Sequence, residues 1–370
     1  MKNKFSLILI CFLLLAFSDA KQYDLPEIPV NIDQNISLPL SEITDEIISV
    51  DLELTDESLI NPDRIKRVFI GEDYVIIAEL EKILVFSKDG KFVRPIGSKG
   101  QGPGEYTGIR SIAIDEKNRR LFVNSISKII CYDLNGKCIR ESNTARGWSF
   151  NDMNYINDEL LLVAEQPGRK DEKGLFKHSA LIRMNNGLQI MDSCVIRNTY
   201  FRQTGLYIHP FEDFILSGNS KVSLYCSDIY YNEQNPVETV LRDTLYRLEK
   251  NNLVPLLKLK FKNNGIDWKG NKFIQLFNVY RSSRYVFAVY GNTLNNNYYR
   301  FCYDTKTGKG FNMQNGFTDD IHKIEKLVSI RPLNTNSELF YYWHTHMKSD
   351  DLEEPNPTLY IGKLKKMTAK

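Results

Sequence analysis

Gly97-Ser-Lys-Gly-Gln-Gly-Pro-Gly-Glu-Tyr106 separates two stretches of matched sequence, and that match decides the fold. Upstream, Asp73-Tyr-Val-Ile-Ile-Ala78 precedes Lys82-Ile-Leu-Val-Phe86, a turn at Ser87-Lys-Asp-Gly90 and an exit along Lys91-Phe-Val-Arg94. Downstream, Arg120-Leu-Phe-Val-Asn124 precedes Lys128-Ile-Ile-Cys-Tyr132, a turn at Asp133-Leu-Asn-Gly136 and an exit along Lys137-Cys-Ile-Arg140. Apolar and polar residues alternate in each stretch, which is the period of a half-buried strand. Asp-Gly and Asn-Gly predict type I′ turns, in which both central residues take positive φ. Gly90 and Gly136 lie 46 residues apart, inside the ~40–50 residue period of propeller blades.

The same pattern continues more loosely. Glu159-Leu-Leu-Leu-Val-Ala164 leads to Ala180-Leu-Ile-Arg-Met184, and Phe214-Ile-Leu216 leads to Thr244-Leu-Tyr-Arg-Leu248 with an exit from Leu253 to Leu259. Tyr285-Val-Phe-Ala-Val-Tyr290 pairs with Tyr298-Tyr-Arg-Phe-Cys-Tyr303, and Leu339-Phe-Tyr-Tyr-Trp343 pairs with Thr358-Leu-Tyr-Ile-Gly362. The expected fold is all-β: a six-bladed β-propeller with four-stranded antiparallel blades over residues 45–370. Ile47-Ile-Ser-Val-Asp-Leu-Glu-Leu54 has no partner in the first repeat. It is assigned to the sixth blade as an N-terminal closing strand, which removes an open sheet edge. Residues 21–44, with three prolines between Lys21 and Pro39, read as an extended leader.

From Gly97 through the 35 residues after Tyr106 the chain resembles the NHL-type propeller repeat: a glycine-rich entry, an inner strand at Ile112-Ala-Ile-Asp115, a second strand at Leu121-Phe-Val-Asn124 and a turn at Asp133-Leu-Asn-Gly136. Gly-Gln-Gly-Pro-Gly-Glu-Tyr is also similar to the hallmark of secreted bacterial six-bladed propellers of undetermined function. The strong match covers residues 62–142. The repeat usually has Asp where this chain has Asn124, so the blade-to-blade salt bridge that the resemblance implies lacks its carboxylate.

The first twenty residues form a signal peptide: Lys2 and Lys4, an apolar run from Leu7 to Phe17, then Ser18-Asp19-Ala20 as a cleavage site. The run is shorter than the ~20 residues a spanning helix needs. The expectation is an exported protein, periplasmic or at the cell surface, with no transmembrane segment. Cys11 sits inside the apolar run, behind Ile10, so a lipid anchor is the minor alternative. Five cysteines follow the signal, an odd number at irregular spacing, with one hairpin bridge conceivable between Cys131 and Cys138. The chain has 48 basic and 46 acidic residues, and that balance gives no field to attract nucleic acid. A monomer is expected.

Gly97, Gly100, Gly102, Pro103, Gly104, Glu105 and Tyr106 are read as a structural crossover, because the loop lacks the Gly-Lys-Ser/Thr ending of a phosphate loop and opens onto a strand. His344 and His346, two apart on a strand, face the same way and with Asp350 form a candidate metal set; the competing reading is a solvated rim. His322, His209 and His178 are placed in other blades. The lyases that resemble NHL propellers carry zinc on histidines from several blades, and lactonase-like propellers hold calcium at the channel, for which Asp115 is a candidate here. Zn or Ca is the alternative to a protein without cofactor. The insertions from Gln166 to Lys177 and from Asp228 to Glu238 lengthen two blades, and long loops on rigid scaffolds carry recognition. Tyr225, Tyr230, Tyr231 and Trp268 beside the second are candidate ligand-binding aromatics. No catalytic motif occurs. The expectation is a non-catalytic binding or scaffold protein for a glycan, peptide or partner protein at the loop face or channel mouth, with a metal-dependent lyase or hydrolase in the central channel as the alternative.

Overall fold

The computed structural model describes residues 25–367 except 127, 144–146, 167–168, 173, 202–214, 219–220, 228–229, 233–234, 237–240, 334–335 and 347–354. Six antiparallel sheets of at least four strands follow one another along the chain as the blades of a propeller. Blade 1 comprises Ile65–Ile70, Tyr74–Glu79, Ile83–Ser87 and Phe92–Pro95, from the inside outward. Blade 2 comprises Ile109–Asp115, Arg120–Ser125, Lys128–Asp133 and Cys138–Asn143. The second and third strands are buried along nearly their whole length, because both faces pack on neighbouring blades.

The hairpin turns differ from expectation. Gly90 and Gly136 have φ of 86° and 90°, but Asp89 and Asn135 are not among the residues of positive φ. Gly90 N–H donates to Ser87 O and Ser87 N–H to Lys91 O, and the register slips beside each turn. This is a type I turn closed by a left-handed glycine in a G1 bulge, not a type I′ turn. A turn with both central residues at positive φ occurs instead in blade 3, at Asn157 and Asp158.

Blade 3 comprises Ser149–Ile156, Glu159–Glu165, Gly174–Met184 and Ile190–Phe201. Arg169–Asp171, inside the first insertion, extends its third strand as a hairpin. Blade 4 comprises Ile215–Gly218, Lys221–Tyr225, Thr244–Glu249 and Asn252–Phe261. Its second strand, Lys221–Tyr225, is absent from the sequence reading, as are the inner strands of blades 1 and 3, Ile65–Ile70 and Ser149–Ile156. Blade 5 comprises Ile274–Arg281, Tyr285–Asn292, Asn297–Asp304 and Lys309–Gln314. Blade 6 takes Arg331–Leu333, Asn336–His344 and Thr358–Leu364 from the C-terminal part and Thr44–Asp51 from the N-terminal part, which pairs antiparallel with Thr358–Leu364. A short hairpin, Phe317–Asp319 with Ile324–Val328, links blade 5 to blade 6.

The leader is less free than its prolines suggest. Glu27–Val30 is a fifth strand of blade 4, parallel to its outer strand from Lys258 to Phe261. Among the described residues Cys131, Cys138, Cys194, Cys226 and Cys302 are free thiols: Cys131 lies opposite Arg140, and Cys138 opposite Tyr132. The hairpin bridge does not form.

Candidate functional site

In an antiparallel blade the second strand ends on the face where the inner strand begins. The two insertions, the crossover loops and the segment after His344 all emerge on that face. There, between blades 6 and 1, an open cleft of about 990 Å³ lies across the junction of the chain's two ends. One wall is the crossover into blade 1, with Leu59, Pro62 and Asp63; the other comes from blade 6 and the hairpin before it, with Lys326, Leu327 and Arg331. Trp343 and His344 line it as well. Leu59 and Leu327 are 51% and 42% exposed, so the rim shows apolar surface to water.

Trp343 is held from two sides. The Arg331 guanidinium lies 4.5 Å from its ring centroid, a cation–π contact. Tyr341 stacks beside it at 6.1 Å and 25°. On the opposite face of the strand from Trp343, an aromatic and acidic layer fixes the strand ends. Tyr342 and Tyr360 stack at 4.8 Å and 5°, and the Tyr342 hydroxyl donates to Asp319 Oδ2 at 2.6 Å. Burial, and then that bond to Asp319, push the Tyr342 phenol far above its ordinary range. Asp319 also accepts the backbone N–H groups of Ile321 and His322, which shapes the hairpin bend.

His344 and His346 come together, with rings 4.6 Å apart and nearly perpendicular. His346 Nε2 is engaged with the Tyr360 hydroxyl at 2.7 Å. Burial lowers the His344 pKa, and His346 and Lys326 lower it further against a smaller opposing effect of Asp319. His322 does not stand apart: its ring meets Tyr360 edge-on at 4.8 Å. Sequence reasoning missed this because His322 belongs to the linking hairpin, which folds back on blade 6. Asp350 and His209 lie outside the described residues. Among the described residues no three His, Cys, Asp or Glu side chains gather as metal ligands.

The other candidates separate. Tyr225 is buried, and its hydroxyl donates to Arg242 O and Leu276 O, so it ties blade 4 to the inner strand of blade 5 rather than facing a ligand. Trp268 is 88% exposed on the turn before blade 5, with Lys269 Nζ 4.9 Å from its ring. Tyr230 and Tyr231 lie in a short strand, Tyr230–Asn232, between the second and third strands of blade 4. Asp115 is engaged in the turn that follows its strand: its two oxygens accept from Asn118, through N–H at 3.1 Å and Nδ2 at 2.8 Å.

In the glycine-rich loop, Ser98–Lys99 and Glu105–Tyr106 form a small parallel ladder. Gly102 N–H donates to Glu105 Oε2, Gly104 N–H to Glu141 Oε2 and Gly100 N–H to Tyr106 O. With these amides satisfied internally, the loop offers no phosphate cradle. Near the axis, Arg67 on the inner strand of blade 1 donates to Asp152 Oδ1 at 2.5 Å, to Met153 O at 2.8 Å and to Ile112 O at 3.3 Å. It bridges three inner strands. The cavity left beside it measures about 10 Å³, at the lower limit for a single water.

The pattern of a family described as a domain of unknown function, DUF4934, matches residues 25–369. No curated protein matches. A Bacteroides fragilis NCTC 9343 protein described as a "putative exported protein" is similar in structure, with 17% identity, a TM-score of 0.63, and coverage of 92% of this chain and 99% of that one. The Neurospora crassa Pan2 WD40 domain matches at 10% identity and TM-score 0.43, covering 82% of this chain and 76% of that chain. The WD40 domain of fission yeast SCAP matches at 7% and 0.37, covering 87% and 98%.

Proposed function

We propose for this chain, which belongs to the DUF4934 family, the role of an exported binding or scaffold propeller whose ligand sits on the face where the inner strands begin. The observation that carries this is the cleft between blades 6 and 1: about 990 Å³, open, and rimmed by exposed Leu59 and Leu327. Binding sites on rigid scaffolds combine apolar walls with a few placed polar groups, and this cleft has that composition. Export is supported by the signal-like N-terminus and by the description of the B. fragilis neighbour. No helix among the described residues is long and apolar enough to cross a membrane.

The test is a screen of the mature protein against peptide and glycan arrays, with Leu59→Asp plus Leu327→Asp as the comparison. Both side chains are exposed, so the double variant keeps the fold. Ligands retained by the native protein and lost by the variant place recognition in the cleft. Equal retention by both moves the site elsewhere.

A further inference from the structure

The cleft walls differ in charge, and that difference bears on what the cleft accepts. Lys326 is exposed, Arg331 is half-buried against Trp343, and neither forms an ion pair with any described carboxylate. The opposite wall contributes one carboxylate, Asp63. Other cations of the blade 1 wall are already occupied: Arg64 faces Glu81, and Lys82 lies beside Glu79 with its ammonium on Leu59 O.

Two groups feel these cations in addition to burial: His344, which lines the cleft, and Arg300, which lies behind Ser329. His344 is disfavoured from protonating by burial, then by His346 and Lys326. Arg300 is buried and donates Nε–H to Ser329 Oγ at 2.8 Å, and Ser329 lines the cleft. Its pKa is pushed down to about 10 by burial, with Arg331 among the contributing charges. An anion beside Lys326 and Arg331 would offset only the part of these shifts that comes from those two cations, burial being the larger cause of each.

The apolar part of the wall favours one kind of anion. The Trp343 ring is engaged by Arg331 and Tyr341, so it is no bare platform for a sugar ring. The exposed apolar groups are the aliphatic Leu59 and Leu327, which suit a hydrophobic side chain. We propose that the cleft between blades 6 and 1 binds an acidic peptide segment, its carboxylates against Lys326 and Arg331 and an apolar side chain between Leu59 and Leu327. This rests on the binding role argued above and adds the ligand's chemistry.

The experiment uses fluorescein-labelled synthetic decapeptides that share two leucines and differ only in carrying Glu and Asp or the uncharged Gln and Asn. Binding to the mature protein is read by anisotropy at low and moderate salt. The acidic peptides are expected to bind about tenfold more tightly, with the preference shrinking as salt rises. Lys326→Glu, a change at an exposed side chain, removes most of that preference, and adding Arg331→Glu inverts it, so that the uncharged peptides bind more tightly than the acidic ones. Equal affinity for acidic and uncharged peptides, with binding still lost in Leu59→Asp plus Leu327→Asp, overturns the acidic assignment and leaves the cleft as the site. Acidic preference unchanged in Lys326→Glu and in the double charge reversal overturns the placement. Oligogalacturonate that outcompetes the acidic peptides overturns the peptide assignment in favour of an acidic glycan.

Discussion

Asn124 shows how one side chain couples two blades. It is fully buried, and its Nδ2 donates at 3.1 Å to Ser111 Oγ and at 3.1 Å to Phe150 O, joining the second strand of blade 2 to the inner strand of blade 3. A carboxylate has no proton for the Phe150 carbonyl. Asn124→Asp is therefore expected to lower stability by about 2–4 kcal/mol at neutral pH. Burial raises the folded pKa of such an Asp above its unfolded value, so the loss grows as pH rises through that window and fades in acid. Urea unfolding at pH 7 and pH 4 reads both effects. Tyr106 gives the alkaline counterpart. Burial pushes its phenol up to about 12, and its hydroxyl donates to Ile96 O. With the folded pKa above the unfolded value of ~10, its contribution is complete below pH ~10 and is lost as pH rises through about 12. Tyr106→Phe is expected to cost only about 1 kcal/mol at pH 7 and to flatten the decline in stability between pH 10 and 12, as read by unfolding midpoints across that range.

At the scale of elements, the glycine-rich crossover is a unit whose parts are interdependent. A Cβ on Gly100 would fall 2.0 Å from Glu105 Oε2, the oxygen that accepts Gly102 N–H at 2.8 Å. The carboxylate can swing away, so Gly100→Ala should cost about what losing that bond costs, ~1–2 kcal/mol. Glu105→Ala should cost a similar amount. The double variant should cost no more than Glu105→Ala alone, because the clash and the bond involve one oxygen; additive losses in a double-mutant cycle would refute this coupling. The crossover, the outer three strands of blade 1 and the strands of blade 2 are legible in the sequence because alternation and glycine position are local properties. The turn type is not local in that way: Asp-Gly suits a type I′ turn and a G1 bulge alike, and the register of the paired strands decides between them. Lys221–Tyr225 was passed over because it is five residues long and lies close behind Ile215–Gly218. The candidate site was visible only as His344. Its walls are residues 59–63 and 326–331, which approach only when the ends of the chain meet, and no local pattern announces that.

For the whole molecule, the leader poses the question of what holds the ring. From Glu27 to Ile43 it passes along the outer edges of blades 4 and 5, and the chain continues into blade 6. It pairs with Lys258–Phe261 of blade 4, bonds through Ile36 N–H to Asn312 O and through Asn35 Oδ1 from Gln314 N–H in blade 5, then enters blade 6 as Thr44–Asp51. Ile28 and Val30 are buried in the first contact and Val50 in the last. Similar burial need not mean similar consequence. The strand Glu27–Val30 adds to a blade already four strands wide, so it can peel away and leave the blade intact. The penalty of Ile28→Asp is then capped at the docking free energy of the leader. Thr44–Asp51 is the outer strand of a sheet whose other three strands come from the far end of the chain, so losing it separates the first blade from the last. Val50→Asp has no such escape and should bring the full cost of a buried, unpaired carboxylate, several kcal/mol, on cooperative unfolding. Native-state hydrogen exchange distinguishes the two. In Ile28→Asp, fast exchange should be confined to residues 27–39 and the newly uncovered edge at 258–261, with the urea midpoint little changed. In Val50→Asp, protection should fall in blades 1 and 6 together and the midpoint should drop with it. Were Ile28→Asp to lower protection throughout the molecule, the leader would be part of the closure itself, and the ring would be held along three blades rather than at one.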